Sequence, residues 1–88
     1  MDRVTGIALF IRVVETGSFS KAAIETGITQ PTATKAVAAM EQRLGARLLH
    51  RSTRGVTLTE VGALYYEKCK LIAREIEAID SGYRSAMS

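Results

Sequence analysis

Two short helices joined by a tight turn are encoded by residues 17–41, GSFSKAAIETGITQPTATKAVAAME. Ser18 or Ser20 is placed to cap the first helix, since a serine hydroxyl accepts a hydrogen bond from an unpaired backbone N–H. Gly27 stands where a helix ends in a left-handed residue. Thr29 is a suitable N-cap for the second helix. The pattern therefore predicts a helix-turn-helix.

The second of these helices begins with polar side chains and gains a buried face only later, through Val37, Met40 and Leu44. A helix with hydrogen-bonding side chains at its N-terminal end fits the major groove of DNA. The chain is therefore expected to bind duplex DNA. The candidates for contact with base edges are Gln30, Pro31, Thr32, Thr34 and Lys35.

The charge distribution supports a polyanionic partner. The net charge is +3, and residues 1–58 carry eight Lys or Arg against four acids, whereas residues 59–88 carry four against five. A basic patch attracts nucleic acid by counterion release, although alone it could be a solvated surface. The acid-free interval between Glu41 and Glu60 contains Arg43, Arg47, Arg51 and Arg54.

Residues 47–58 predict a small hairpin after the second helix. Strands over 48–51 and 56–58 would flank a turn at 52–55, in which Gly55 is free to take a positive φ. Two strands this short must pack on helices, which makes them the wing of a winged helix-turn-helix. The residue types suited to phosphate or minor-groove contact are Ser18, Ser20, Lys21, Thr29, Arg51, Ser52, Thr53 and Arg54.

Helical spacing predicts a first helix over residues 4–16 and a long last helix from Thr59, its N-cap, to about residue 83. In the first helix Ile7, Phe10, Val13 and Val14 are expected to face the core. The last helix carries apolar residues at alternating steps of four and three, which is typical of a coiled-coil seam. Its members are Tyr65, Cys69, Ile72, Ile76, Ile79 and Tyr83.

This seam predicts a homodimer. Near Val61, Leu64 and Tyr65 the helix is expected to pack on its own domain, but beyond Leu71 too little core is left to cover it. A partner helix is then the favoured cover. Residues 1–58 are thus expected to form a winged helix-turn-helix domain, and residues 59–88 a linker and dimerisation helix.

Composition bounds the remaining possibilities. An 88-residue chain is expected to form one domain that buries only about 60% of its unfolded surface, which leaves room for burial in a dimer. One cysteine excludes an intramolecular disulfide and fits a reducing, cytoplasmic location. No apolar run approaches the roughly 20 residues that span a bilayer, so no membrane partner is expected.

No constellation of catalytic or metal-binding residues is apparent. His50 has no second ligand at metal-binding spacing, and Cys69 has no His at helical spacing to activate it. No enzyme activity, cofactor, metal or small-molecule site is therefore expected. The alternative to DNA binding is a winged-helix interaction module that only dimerises.

Short motifs along residues 10–62 add a resemblance: Gly17-Ser18-Phe19, Ala22-Ala23, Gln30-Pro31, Thr34-Lys35, Glu41, Leu44-Gly45, Leu48-Leu49, Arg51 and Leu58-Thr59-Glu60-Val61-Gly62. Together they resemble the N-terminal DNA-binding domain of LysR-type transcriptional regulators. The resemblance implies a bacterial regulator that binds two-fold-related half-sites, with its linker helix leading into a ligand-sensing domain. The chain departs from the family where Ala36, Ala38 and Ala39 replace long polar side chains, which leaves fewer groups able to reach DNA. It is expected to be a DNA-binding fragment or a natural short form.

Overall fold

Four helices and a two-stranded hairpin form the computed structural model, which describes the backbone of residues 1–87 and the side chains of residues 1–82. This is the predicted winged helix-turn-helix with a long last helix. Over residues 1–87 no helix is long and apolar enough to cross a membrane. The elements in chain order are α1 (Arg3–Thr16), α2 (Phe19–Thr26), α3 (Gln30–Leu44), β1 (Leu49–Ser52), β2 (Gly55–Leu58) and α4 (Glu60–Met87).

The core lies where α1 crosses α2 and α3. Leu9, Phe10 and Val13 are fully buried, whereas Ile7 and Val14, both expected in the core, are only half-buried. Gly6 is also buried on this side of α1, beside the sulfur of Met40. The buried residues beyond α1 are Phe19, Ala22, Ala23, Ala33, Val37, Met40, Leu48, Leu49 and Cys69.

Two apolar side chains of the helix-turn-helix are exposed, and one of them, Leu44, was expected on the buried face of α3. Leu44 is the last residue of α3, where the helix has passed beyond the core. Ile24 lies on the outer face of α2, and the helix is buried instead through Phe19, Ala22 and Ala23.

The hairpin begins one residue later than predicted. β1 and β2 are antiparallel, with Leu49 opposite Leu58 and Ser52 opposite Gly55. Gly55 has φ 122°, and a Cβ there would lie 2.8 Å from the carbonyl oxygen of Gly17. The N–H of Val56 donates to that same oxygen at 3.1 Å. The wing is thus attached to the end of α1 by backbone contacts.

The start of α4 is fixed to the segment that precedes β1. Thr59 caps α4 by accepting from the N–H of Gly62 at 2.8 Å, and its hydroxyl donates to the carbonyl of Arg47 at 2.6 Å. The N–H of Thr59 donates to the carbonyl of Leu48 at 3.0 Å. A Cβ at Gly62 would lie 1.9 Å from that carbonyl oxygen, so only glycine fits here.

A chain of polar contacts joins α4 to α1 and α2. The hydroxyl of Tyr66 donates to Glu15 Oε2 at 2.7 Å, and this hydrogen bond, with burial, raises the pKa of Tyr66 to about 12. Arg12 pairs with Glu15 at 2.8 Å and with Glu25 of α2 at 2.7 Å. One turn of α4 is thereby connected to the helix-turn-helix. Beside this chain, the ring of Tyr65 meets that of Phe10 edge-on, with centroids 5.5 Å apart.

The contact at Gly62 generates a stability prediction. Gly62→Ala should lower the free energy of unfolding by about 2 kcal/mol or more, since the methyl group overlaps backbone that cannot rotate away. The measurement is urea denaturation at fixed protein concentration, because a dimer's stability depends on concentration. Gly82→Ala is the matched control: it lies in open space on the same helix and should leave stability equal or slightly higher. Equal stability of the two variants would contradict the assigned contact.

Candidate nucleic-acid interface

The α2–turn–α3 unit is fixed by its own caps. Ser18, and not Ser20, caps α2 by accepting from the N–H of Lys21 at 3.1 Å. Gly27 ends α2 in the left-handed region, φ 72°, and the N–H of Ile28 returns to the carbonyl of Ala23 at 3.0 Å. These local bonds set the position at which α3 starts.

The first turns of α3 present a polar surface. Thr29 is the N-cap, and its hydroxyl oxygen accepts from the N–H of Thr32 at 3.3 Å. Pro31 occupies the first turn, where it removes no helical hydrogen bond. Four of the five base-edge candidates are exposed together here: Gln30, Pro31, Thr32 and Lys35. Their contact with bases stays a prediction.

Thr34, the fifth candidate, lies on the edge of α3 that faces the wing. It is half-buried, and its hydroxyl accepts from Nη2 of Arg51 at 3.2 Å. The guanidinium of Arg51 also stacks on the ring of Phe19, 4.1 Å from the ring centroid. Arg51 thus joins α2, α3 and β1 at one point, and its guanidinium is held at the edge of the polar surface.

The rest of the wing is exposed at its tip. Thr53 and Arg54 form the two-residue turn between the strands, and the N–H of Arg54 donates to the hydroxyl of Ser52 at 3.2 Å. Ser20 and Lys21 are exposed on the first turn of α2. The phosphate-contact candidates therefore lie in three places: at the start of α2, at the N-cap of α3, where Thr29 stands, and on the wing. Their contact with phosphates stays a prediction.

Glu41 organises the link between α3 and the wing, a role that the residue pattern did not indicate. Its Oε2 accepts from the N–H of Leu48 at 2.7 Å and of Leu49 at 3.3 Å, and it pairs with Arg47 at 3.4 Å. The four arginines between Glu41 and Glu60 are consequently not one uniform patch. Arg47 is paired and Arg51 is stacked, while Arg43 and Arg54 enter no ion pair among the described side chains.

The seam predicted along α4 needs correction in its first half. Cys69 is only 2% exposed and belongs to the chain's own core, and Tyr65 packs against Phe10. The reason is that the early turns of α4 lie across α1, so this face of the helix is already covered. Leu64, expected to pack on the domain, is instead 70% exposed.

The exposed apolar face of α4 is therefore rotated from the predicted seam. Ile72 and Ile79 are 44% and 69% exposed, as a seam requires, while Ile76 is half-buried. The side chain of Tyr83 lies outside the described residues. Apolar residues on this face, hereafter the outer face of α4, are Val61, Leu64, Leu71, Ile72 and Ile79.

The other side chains considered for chemistry are isolated. His50 is exposed on β1, opposite Thr57. Burial raises the pKa of the Cys69 thiol, which favours its neutral, unreactive form. Among the residues that the structure describes, no three His, Cys, Asp or Glu side chains are grouped to hold a metal ion.

Comparison with known proteins identifies the family. The sequence model described as "Bacterial regulatory helix-turn-helix protein, lysR family" matches residues 5–63. An HTH-type transcriptional regulator of Xanthomonas campestris is 52% identical over 73 residues, 83% of this chain and 21% of that protein. An HTH-type transcriptional repressor of Pseudomonas aeruginosa is 37% identical over 84 residues, 96% of this chain and 26% of that protein. The chain thus spans about a quarter of the length of these relatives.

Solved structures with the same fold include two DNA complexes. The BenM DNA-binding domain in complex with catB site 1 DNA has a TM-score of 0.90 and 30% identity, covering 100% of this chain and 98% of that one. The CbnR DNA-binding domain in complex with DNA has a TM-score of 0.85 and 32% identity, with 100% coverage of both chains. The chain belongs to the LysR family of bacterial regulatory helix-turn-helix proteins.

Proposed function

We propose that this chain binds duplex DNA sequence-specifically as a homodimer and is the DNA-binding part of a bacterial transcription regulator acting in the cytoplasm. The observation that carries the proposal is the surface formed by Gln30, Thr32 and Lys35, exposed together at the start of a helix that its own caps hold in position. Gln pairs in bidentate fashion with adenine, and Lys with guanine. Arg51 and Arg54 at the wing edge supply cations for the backbone.

The relatives support a regulatory role. Their names describe transcriptional regulators, including a repressor in Pseudomonas aeruginosa and an activator, AaeR, in Escherichia coli. The structural neighbours include DNA-binding domains crystallised on DNA. We infer that the exposed start of α3 in this chain binds the major groove of its own operator.

The outer face of α4 supports the homodimer. Soluble monomers rarely leave a contiguous apolar patch uncovered, and each fully buried side chain of this size contributes about 1.5–3 kcal/mol. Pairing two copies through this face would bury five such residues from each. A two-fold dimer then presents its α3 helices to successive major grooves, about 34 Å apart or a multiple of that distance.

The second candidate is an interaction module that dimerises without binding DNA. It is favoured by the small side chains of Ala38 and Ala39, which are exposed on α3 between Lys35 and Gln42. These side chains leave fewer groups able to reach DNA. An electrophoretic mobility shift with genomic fragments, at low and moderate salt, separates the two. Retention of specific fragments at moderate salt supports DNA recognition. A stable dimer that shifts no fragment at either salt concentration would identify the chain as the interaction module.

The base-edge assignment is tested at Gln30. Gln30→Ala should weaken binding to an operator fragment, selected from genomic DNA, by about 1–3 kcal/mol and relax preference at one base pair of each half-site. The measurement is affinity for the operator and for a random-sequence duplex in the same buffer. An equal loss on both duplexes would make Gln30 a backbone contact.

The wing assignment is tested by salt dependence. Arg54→Ala and Arg51→Ala should each reduce the slope of log K against log salt by about one unit per protomer, because each variant loses one contact with a phosphate. Arg51→Lys, unlike Arg51→Ala, should keep the positive charge, but it should lose the planar stack on Phe19. Arg74→Ala, an equal charge loss on α4, is the control and should leave the slope unchanged. Unchanged slopes for both wing variants would show that the wing does not contact DNA.

Assembly is tested on the outer face of α4. Ile72→Asp should produce a monomer in sedimentation experiments, because it adds a charge to a face that the dimer buries. Operator affinity should fall steeply, since the second half-site loses its tethered effective concentration. The circular dichroism spectrum should be unchanged. Ile24→Asp is the matched control, an exposed isoleucine on α2 whose variant should remain a dimer. A dimeric Ile72→Asp variant would assign the interface elsewhere.

A further inference from the structure

A cleft of about 330 Å³ lies between the start of α1 and one edge of α3. Its apolar lining comes from Gly6, Ala36, Ala39 and Met40. Three cationic side chains, Arg3, Lys35 and Arg43, stand around it, and so does Thr32. Because Thr32 and Lys35 belong to the polar surface at the start of α3, the cleft opens next to the proposed DNA-binding face.

The cations of this cleft have no protein partner among the described side chains. Arg12 and Arg47 are ion-paired, but Arg3, Lys35 and Arg43 are in none of the ion pairs found over residues 1–82. One carboxylate, Asp2, also lines the cleft. Both of its oxygens already accept hydrogen bonds from Thr5, at 2.8 and 2.9 Å. The cleft therefore carries an excess of positive charge that suits an anion.

The position of the cleft relative to the wing suggests which anion. Thr34 and Glu41 lie on the edge of α3 that contacts Arg51 and the strands. Ala36 and Arg43, two and nine residues after Thr34, lie on the opposite edge, since successive helix residues are about 100° apart. The major groove is about 12 Å wide, so a helix inserted into it has a phosphate backbone along each edge. With the wing placed along one backbone, as the proposed function has it, the cleft faces the other.

Small side chains on α3 allow that second backbone to come close. Ala36 and Ala39 end at Cβ, and so does Ala38 beside them, so the exposed positions between Lys35 and Gln42 carry no long side chain. The cations beside this stretch are Arg3, at the start of α1, and Arg43, near the end of α3.

We propose that Arg3 and Arg43 bind phosphates of the DNA backbone on the side of α3 opposite the wing, across the cleft floored by Ala36 and Ala39. This assignment rests on the proposed function and extends its footprint to the N-terminal helix. It makes Arg3 and Arg43 positioning residues: they fix how deeply and at what angle α3 enters the groove, and they contact no base.

The test is the salt dependence of binding by the full chain. Arg3→Ala and Arg43→Ala should each reduce the slope of log K against log salt by about 0.9 per protomer. Affinity should fall by the same factor on the operator and on a random-sequence duplex. Arg3→Lys and Arg43→Lys should keep the wild-type slope, because the charge is retained. Arg74→Ala, with the same charge loss on α4, is the control.

A second variant tests the cleft without removing a cation. Ala39→Glu adds a carboxylate to the cleft, on an exposed helical position where glutamate folds well. It should weaken binding to both duplexes, while Ala78→Glu on the exposed side of α4 should not. Circular dichroism checks that each variant is folded.

The outcomes separate this proposal from the proposed function. If wild-type protein binds no DNA, the proposed function fails. If Arg54→Ala lowers the slope but both Arg3→Ala and Arg43→Ala leave it unchanged, only the phosphate assignment is overturned. A loss confined to the operator, with random-sequence binding intact, would also overturn it, because the residues would then be reading bases.

Discussion

The backbone of Leu48 is hydrogen-bonded at both its N–H and its carbonyl, and the arrangement of the molecule depends on these two bonds. Its N–H donates to Glu41 near the end of α3, its carbonyl accepts from Thr59 before α4, and its side chain is fully buried. Gly62 permits the second attachment, since any Cβ would overlap the Leu48 carbonyl. The helix α3, the wing and α4 thus meet at one residue. The bond from Thr59 joins backbone to backbone, so its geometry is insensitive to side-chain repacking, whereas the bond to Glu41 depends on the position of that carboxylate.

The fold was predictable wherever its signals are local. The caps at Thr29 and Thr59 and the left-handed glycine at Gly27 act within three or four residues of chain, so sequence spacing suffices to place them. For α2 the spacing left Ser18 and Ser20 open, and the structure places the cap at Ser18. The face of α4 was not predictable in the same way. Helical periodicity gives two adjacent apolar stripes, and the close approach at Gly62 decides which of them lands on α1. The stripe containing Cys69 is buried as a result, and the one containing Leu64 is exposed.

The candidate interface likewise has a part that local sequence signals determine and a part that only tertiary packing creates. The exposed start of α3 follows from one cap and one proline, so its polar residues could be named from sequence. The stack of Arg51 on Phe19 joins residues 32 positions apart, and the cleft joins Arg3 to Arg43 across 40 positions. Neither pair has a sequence motif, because each exists only after α1, α2 and the wing have packed on α3.

The polar chain from Tyr66 through Glu15 and Arg12 to Glu25 lies at the base of a long lever. α4 has 28 residues and is therefore about 42 Å long at 1.5 Å per residue. The part of α4 beyond Tyr66 is about 32 Å long. A tilt of about 5° at Tyr66 therefore moves the far end of α4 by roughly 3 Å, close to one base-pair step along DNA. In the proposed dimer joined through α4, the stiffness of this base would therefore affect how far apart the two α3 helices can lie.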